Sequence, residues 1–293
     1  MPANILDGRK IRDEAIPELA KSFAGLLFVP VLTIVQVGNR EDTGAYVRAK
    51  KLFAEKIGVK VKHIQLEESV SQSELINIIK ENNQDTEVKG IIVQLPLPSE
   101  IDRDAVIDTI DPKKDVDAIT SYNVERWTRT NNQALLPATA RGVRTLLQYY
   151  KIDLSGKKVV VTGRSALVGK PITSMCLNEK AEVAVCHSKT PDLAKETLDA
   201  DIIISVVGKP NLITANHVKS GQIIIDVGIN TIESKKLDEK DENTAQRKIV
   251  GDVDFEAVSQ IVQAISPVPG GVGPLTVLSI FQNLLDLCQK EPN

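Results

Sequence analysis

The chain has 293 residues, 42% of them hydrophobic and 26% charged, with a formal net charge of −3 at pH 7. That length points to about two domains with ample core, and cations spread along the chain without a basic block argue against a nucleic-acid surface. Three scattered His, three Cys in no metal or disulfide pattern, no bilayer-length apolar run and no signal-like start leave a metal-free protein without a membrane anchor, expected in the reducing cytoplasm.

Apolar β-branched runs alternate with helical patterns, the signature of an α/β fold with parallel strands. In chain order the first half gives a strand over 31–37 (VLTIVQV), a helix over about 45–57, a strand over 59–64, a helix near 73–82 and the strand GIIVQ over 90–94. Residues 112–141 lack periodicity and read as loops crossing between domains. A helix over about 141–150 leads into the second half. There a strand over 158–161 runs into a Gly-rich turn and a helix from about Val168. Strands over 182–186, 202–206 and 222–227 follow, with a helix over 192–198 between the first two. The charged stretch 231–248 reads as a solvated loop, and the last helix spans about 275–288.

The turn after the strand at 158–161 reads TGRSALVGK. The dinucleotide fingerprint places three Gly between strand and helix; here Gly163 and Gly169 stand at the outer positions and Ser165 at the middle one. Gly163 makes the tight turn, Gly169 permits close helix–strand packing, and the helix N-terminus offers free N–H groups to an anion. The next strand ends in CHSKT with no carboxylate at its tip. Hydroxyls and a cation there, with Arg164 in the turn, suit a ribose 2′-phosphate and favour NADP over NAD. An ordinary polar strand end is the competing account.

In the first half, Tyr46 and Lys50 fall at i and i+4 on one helix face, where a ring beside an ammonium could hold a flat ligand and move a proton; a solvated surface Lys has the same spacing. VQLPLP ends a buried strand with Gln94 and a rigid apolar turn, and strand C-termini in α/β sheets are where ligands bind. KKDVDAIT puts Asp115 and Asp117 in a loop, where paired carboxylates also serve as turn-formers. PVPGGVGP, just before the last helix, combines Pro stiffness with Gly openness in eight residues without a polar side chain.

Tyr46-x3-Lys50, VQLPLP, KDVD, GRSxxVGKP, CHSKT, GDVDF and PVPGGVGP resemble, in kind and in order, the bifunctional methylenetetrahydrofolate dehydrogenase/methenyltetrahydrofolate cyclohydrolase family. The resemblance runs from about Ile5 to the last helix. It implies an α/β fold of two domains, an open N-terminal catalytic domain (1–140 plus 274–293) and a Rossmann-like NADP-binding domain (141–273), with a cleft between them. It implies NADP-dependent oxidation of 5,10-methylenetetrahydrofolate and hydrolysis of the methenyl product to 10-formyltetrahydrofolate. Lys50, Gln94 and Asp117 match the family's catalytic residues, with Lys50 as the proton-transfer group. Tyr46, Pro96, Pro267, Gly270 and Gly271 match substrate-binding positions. Gly163, Arg164, Ser165, Val168, Gly169, Ser188 and Ile229 match cofactor-binding ones. The partners implied are tetrahydrofolate one-carbon derivatives and a second copy of the chain, paired through the nucleotide domains. In this frame PVPGGVGP is a wall of the cleft, its Gly residues letting ligand approach the backbone.

The chain departs from the family pattern at four places. Ala118 replaces the Gly of KDVDG, so the loop must shift if that site needs positive φ. PCTPxG is Pro137-Ala-Thr-Ala-Arg-Gly142, Ser266 begins the TPVPGG segment, and Thr43 stands for a Ser. Without the resemblance, composition and spacing stop at a two-domain NADP-binding oxidoreductase. A dehydrogenase of shikimate type, or a nucleotide-binding protein without catalysis, then remains open.

Overall fold

The computed structural model describes residues 2–130, 134–234 and 246–290. The chain opens with β1 (Asn4–Ile5) and α1 (Gly8–Ala24), then alternates β2 (Val31–Val37), α2 (Glu41–Ile57), β3 (Lys60–Leu66), α3 (Gln72–Gln84) and β4 (Val88–Gln94). Helices α4 (Arg103–Ile107), α5 (Ser121–Thr130) and α6 (Ala138–Tyr149) lead to β5 (Lys158–Thr162), α7 (Gly169–Asn178), β6 (Glu182–Cys186), α8 (Leu193–Asp199), β7 (Ile202–Ser205) and β8 (Ile223–Asp226). The chain closes with β9 (Asn230–Ser234), β10 (Gln246–Val250), α9 (Phe255–Val258), β11 (Ala264–Ile265) and α10 (Val272–Lys290). It divides into two compact units, Arg12–Arg141 with Thr276–Asn293, and Met1–Ile11 with Gly142–Leu275.

The first unit is built on a parallel sheet of order β3-β2-β4. Central β2 is buried at every position but its first, as a parallel strand covered on both faces must be. Its register sets Gln36 beside Gln94 at the carboxyl ends of β2 and β4. Helix α2 stops at Gly58, whose φ of 76° lets its N–H reach the Ala54 carbonyl. The last helix returns to this unit: Phe281, fully buried, lies 5.2 Å from the Phe53 ring, centroid to centroid. Two residues on, buried Asn283 donates to the Val116 and Leu136 carbonyls at 2.8 and 3.1 Å and accepts from the Arg141 guanidinium. Gly90 is required by this packing, because a Cβ there would press on Val116, Leu32 and Leu284.

The second unit carries a six-stranded parallel sheet of order β1-β11-β8-β7-β5-β6. From β5 the chain goes first to β6 on one side and then to β7 on the other, so the carboxyl end of β5 is a topological switch point, where ligands bind in such sheets.

Several expectations change. Residues 2–11, expected in the catalytic domain, group with the second unit because β1 extends its sheet: Asn4 pairs with Ala264 and Ile5 with Ile265. The stretch 112–141 is not all loop, since α5 and the start of α6 lie in it. The ends of the supposed loop 231–248 form an antiparallel hairpin of β9 and β10, while 235–245 falls outside the described residues. Helix α10 begins at Val272, inside PVPGGVGP.

Asn283→Ala leaves two buried carbonyls and a guanidinium short of partners, so unfolding in urea is expected to show a loss of about 3 kcal/mol with an unchanged slope. A midpoint equal to wild type would mean that the clamp carries no stability.

Candidate active site

Helix α2 and strand β4 bring the first group together. Lys50 sits on the α2 face that buries Val47 and Ala54 and is itself only 7% exposed. Its Nζ donates to Gln94 Oε1 at 2.8 Å, and the Gln94 amide donates in turn to the Leu95 carbonyl at 2.9 Å, which fixes which end of the amide faces the lysine. Burial lowers the Lys50 pKa below its ordinary 10.5, with the negative charge of Asp117 opposing. Burial likewise raises the carboxyl of Asp117, against the pull of Lys50 and with the push of Asp115. The three residues expected to be catalytic thus form one electrostatic unit. Tyr46 lies one turn before Lys50 on α2, half-buried. Pro96 is exposed, just beyond β4, after a cis Leu95–Pro96 bond.

The loop that carries Asp117 is held from many directions. Asp115 is fully buried; its Oδ2 accepts from the Thr120 N–H and the Asn123 amide, both at 2.9 Å. Lys114 Nζ caps the Asn82, Asn83 and Asp85 carbonyls near the end of α3. Asn283 holds the Val116 carbonyl, and the Ala138 N–H donates to the Asp117 carbonyl at 3.0 Å. Ala118 answers the question raised by its missing Gly. It keeps a φ of 55°, so the loop retains the left-handed turn at a cost of about 1 kcal/mol and does not shift out of it.

At the switch point of the second unit, Gly163 has a φ of 105°, and a Cβ on it would stand 2.9 Å from the Val206 carbonyl oxygen. A Cβ on Gly169 would drive into the Gly163 backbone. These two clearances are what a strand–turn–helix anion cradle requires. Ser165 earns its place at the middle position by capping: its Oγ accepts the Gly169 N–H at 3.2 Å. Val168 is half-buried at the start of α7. Arg164 and Ser188 are both exposed, each two residues beyond the register pair Thr162–Cys186, so they extend from neighbouring strand ends. The strand tip is self-satisfied, with Thr190 Oγ1 accepting the His187 N–H at 2.9 Å and Lys189 N–H donating to His187 Nδ1. Ile229, just past β8, is 48% exposed, an apolar surface beside polar strand ends. The donor set fits a phosphorylated dinucleotide: an N–H-rich turn, a guanidinium and a hydroxyl, with no carboxylate at the β6 tip.

PVPGGVGP is closely packed at two of its three Gly positions. The space where Gly270, at a φ of 122°, would carry a Cβ holds the Arg9 guanidinium, and that of Gly271 meets Ser266 and the Pro267 carbonyl. The Gly270 carbonyl accepts the Gly8 and Arg9 N–H groups at 2.9 and 3.2 Å, and Arg9 donates to the Pro269 carbonyl. These Gly residues serve close packing against the start of α1; Gly273 alone of the three has open space. Sequence reasoning missed Arg9, Asn283 and two buried carboxylates, Asp226 and Asp252. Only the last had a signal, the motif GDVDF.

Comparison with known proteins agrees with the α/β fold of the two units. The profile described as tetrahydrofolate dehydrogenase/cyclohydrolase, catalytic domain, matches residues 6–117, and that of its NAD(P)-binding domain matches residues 137–292. The bifunctional protein FolD of Bacillus subtilis is 41% identical over 293 residues, covering 99% of each chain. The structure of the bifunctional enzyme FolD from Campylobacter jejuni superposes with a TM-score of 0.88 at 38% identity, covering 98% of this chain and 99% of that one. The Trypanosoma brucei methylenetetrahydrofolate dehydrogenase-cyclohydrolase, solved with NADP and an inhibitor, gives 0.92 at 32% identity, covering 99% of this chain and 98% of that one.

A lysine whose pKa is lowered by folding binds fewer protons in the native than in the unfolded state over a window below 10.5, so stability rises with pH there. Urea unfolding between pH 8 and 10.5 is expected to show that upward slope in the wild type, reduced in Lys50→Met. Identical slopes would mean that Lys50 is solvated.

Proposed function

The chain belongs to the tetrahydrofolate dehydrogenase/cyclohydrolase family, and on that premise we propose that it oxidises 5,10-methylenetetrahydrofolate with NADP and hydrolyses the methenyl product to 10-formyltetrahydrofolate, with Lys50 as the proton-transfer group. The observation that carries the reading is the desolvated Lys50 amine, 2.8 Å from Gln94 and in the field of Asp117.

NADP supplies the hydride acceptor when bound. Arg164 and Ser188 would hold its 2′-phosphate, and the turn from Gly163 to Gly169, with Ser165 and Val168, would take its pyrophosphate. Ile229 would line the remaining nucleotide surface, and Pro267, Gly270 and Gly271 would belong to the substrate surface. The protein's task in the oxidation is to position the one-carbon bridge. Asp117, an acceptor, would hold the amino and ring N–H donors of the pterin, and Tyr46 would stack on the flat ring, with Pro96 beside it.

In the hydrolysis, water adds to the methenyl carbon and the bond from that carbon to N5 breaks. N5 takes up a proton, and one proton is released in all. Neutral Lys50 has a lone pair to accept the proton of the attacking water, while its own N–H stays on Gln94. A buried amine with a lowered pKa holds a larger neutral fraction near pH 7 than a solvated one, which is what a general base needs. The same side chain, protonated, would polarise the substrate in the oxidation. The family reading also carries a homodimer paired through the second unit, in which β6 is an edge strand of the sheet.

The test is a spectrophotometric assay with 5,10-methylenetetrahydrofolate and NADP or NAD, and a separate assay of added methenyl substrate. Wild type is expected to reduce NADP faster than NAD. Lys50→Ala is expected to lose about 10²- to 10⁴-fold in hydrolysis. No turnover with either nucleotide would overturn the folate reading. Wild-type hydrolysis by Lys50→Ala would remove the lysine from its role, and preference for NAD would remove Arg164 and Ser188 from theirs.

A further inference from the structure

Two carboxylates with no part in the proposed chemistry lie buried at the carboxyl edge of the six-stranded sheet. Asp252 is fully buried and Asp226 only 3% exposed. Asp252 Oδ2 accepts the Val207 and Gly208 N–H groups at 2.7 and 3.1 Å and the Ser205 hydroxyl at 3.1 Å. Its Oδ1 accepts the Lys209 N–H at 2.8 Å and the Asn230 amide at 3.0 Å. Five donors on one side chain suit a group that only accepts. The chain reaches further: Thr162 Oγ1 donates to Ser205 Oγ at 2.9 Å, and Thr162 is the residue before Gly163. Val206, between the Asp252-bound residues, is the one that packs against Gly163.

Asp226 anchors the anchor. Its Oδ1 accepts the Gly228 and Asp252 N–H groups at 2.9 and 3.0 Å, and its Oδ2 accepts the Val253 N–H at 2.9 Å. Burial pushes its carboxyl up to about 7, with the Asp252 and Val253 N–H groups opposing. Gly228 and Gly251 make room for the pair, since a Cβ on the first would overlap the Asp252 carboxylate and on the second that of Asp226. One cluster therefore joins the ends of β5, β7 and β8 with the segment after β10, around the switch point.

We propose that Asp252 is a positioning residue for the nucleotide site: its carboxylate holds residues 205–209 and, through Ser205 and Thr162, the turn at Gly163 in the form that receives NADP. This rests on the NADP reading above. Asn at this position would turn an N–H₂ toward N–H donors, and those backbone groups would lose their acceptor. The segment would then leave its place against Gly163. The hydrolysis proposed for Lys50 needs no nucleotide, so it provides an internal control on the fold.

The experiment uses full-length wild type, Asp252→Asn, Ser205→Ala and Thr162→Val. NADP affinity is measured by isothermal titration calorimetry, with KM for NADP, kcat of the oxidation, hydrolysis of added methenyl substrate without nucleotide, and the thermal midpoint. Asp252→Asn is expected to weaken NADP binding about 10- to 100-fold, with KM rising in step. Its hydrolysis rate is expected to stay within about twofold of wild type. Ser205→Ala and Thr162→Val are expected to weaken binding by less, and they carry the test if Asp252→Asn does not fold. Wild-type NADP affinity in the folded variants would overturn the proposal. So would parallel loss of oxidation and hydrolysis with unchanged affinity. A wild type that binds no NADP would overturn the nucleotide reading, and this proposal with it.

Discussion

An ammonium group taken out of water loses its hydration, and a folded chain compensates by pairing it or lets it give up its proton. Lys50, 7% exposed, has one amide acceptor and a carboxylate within its field. Much of the first unit is arranged around that balance. The apolar face of α2 excludes water, the end of β4 delivers Gln94, and the Asp117 loop supplies just one opposing charge. A closer or fuller pairing would keep the lysine charged, and a wetter site would do the same. The clamps on that loop set the balance, because they fix how near Asp117 stands. Asn283 contributes from α10, far along the chain.

The two units solve the same geometric problem twice. Each places its functional groups at the carboxyl ends of parallel strands, where side chains emerge from a buried sheet onto an accessible edge. In the first unit the edge carries an amide and a desolvated amine. In the second it carries a tight turn, a guanidinium and hydroxyls, with a buried pair of carboxylates beneath them. Backbone N–H groups at such edges are the raw material for anion binding. Asp252 takes up three of them and Ser165 one, so those that remain free are selected by side chains that never meet the ligand.

Strands buried on both faces were the most legible part of the sequence. VLTIVQV marks β2 to the residue because burial on both faces favours a continuous, largely apolar run; EVAVC marks β6 equally well although that edge strand is half exposed. Helix α1 was invisible, with Pro17 inside it and no acidic first turn. Helix α5 was read as loop because its face of Asn123 and Trp127 is half polar. The Lys50–Gln94 hydrogen bond spans 44 positions, and no spacing rule reaches that far; the residues were paired through resemblance. The nucleotide turn was legible because its chemistry is local. The close packing at Gly270 was not legible because the group that fills its space, Arg9, comes from the other end of the chain. Ala118 shows the same limit, since its left-handed φ is imposed by distant clamps and not by its own preference.

The most direct test is the proton affinity of Lys50 itself. A ¹³Cε-lysine NMR titration of the full chain, with the Lys50 signal assigned by its loss in Lys50→Arg, reads that property without substrate or nucleotide. The account predicts a midpoint below 10.5 for Lys50, and a lower midpoint still in Asp117→Asn, where the opposing carboxylate charge is gone. A midpoint at or above 10.5 would contradict it: the amine would then be an ordinary paired cation, and the proton of the hydrolytic step would have to be carried by another group.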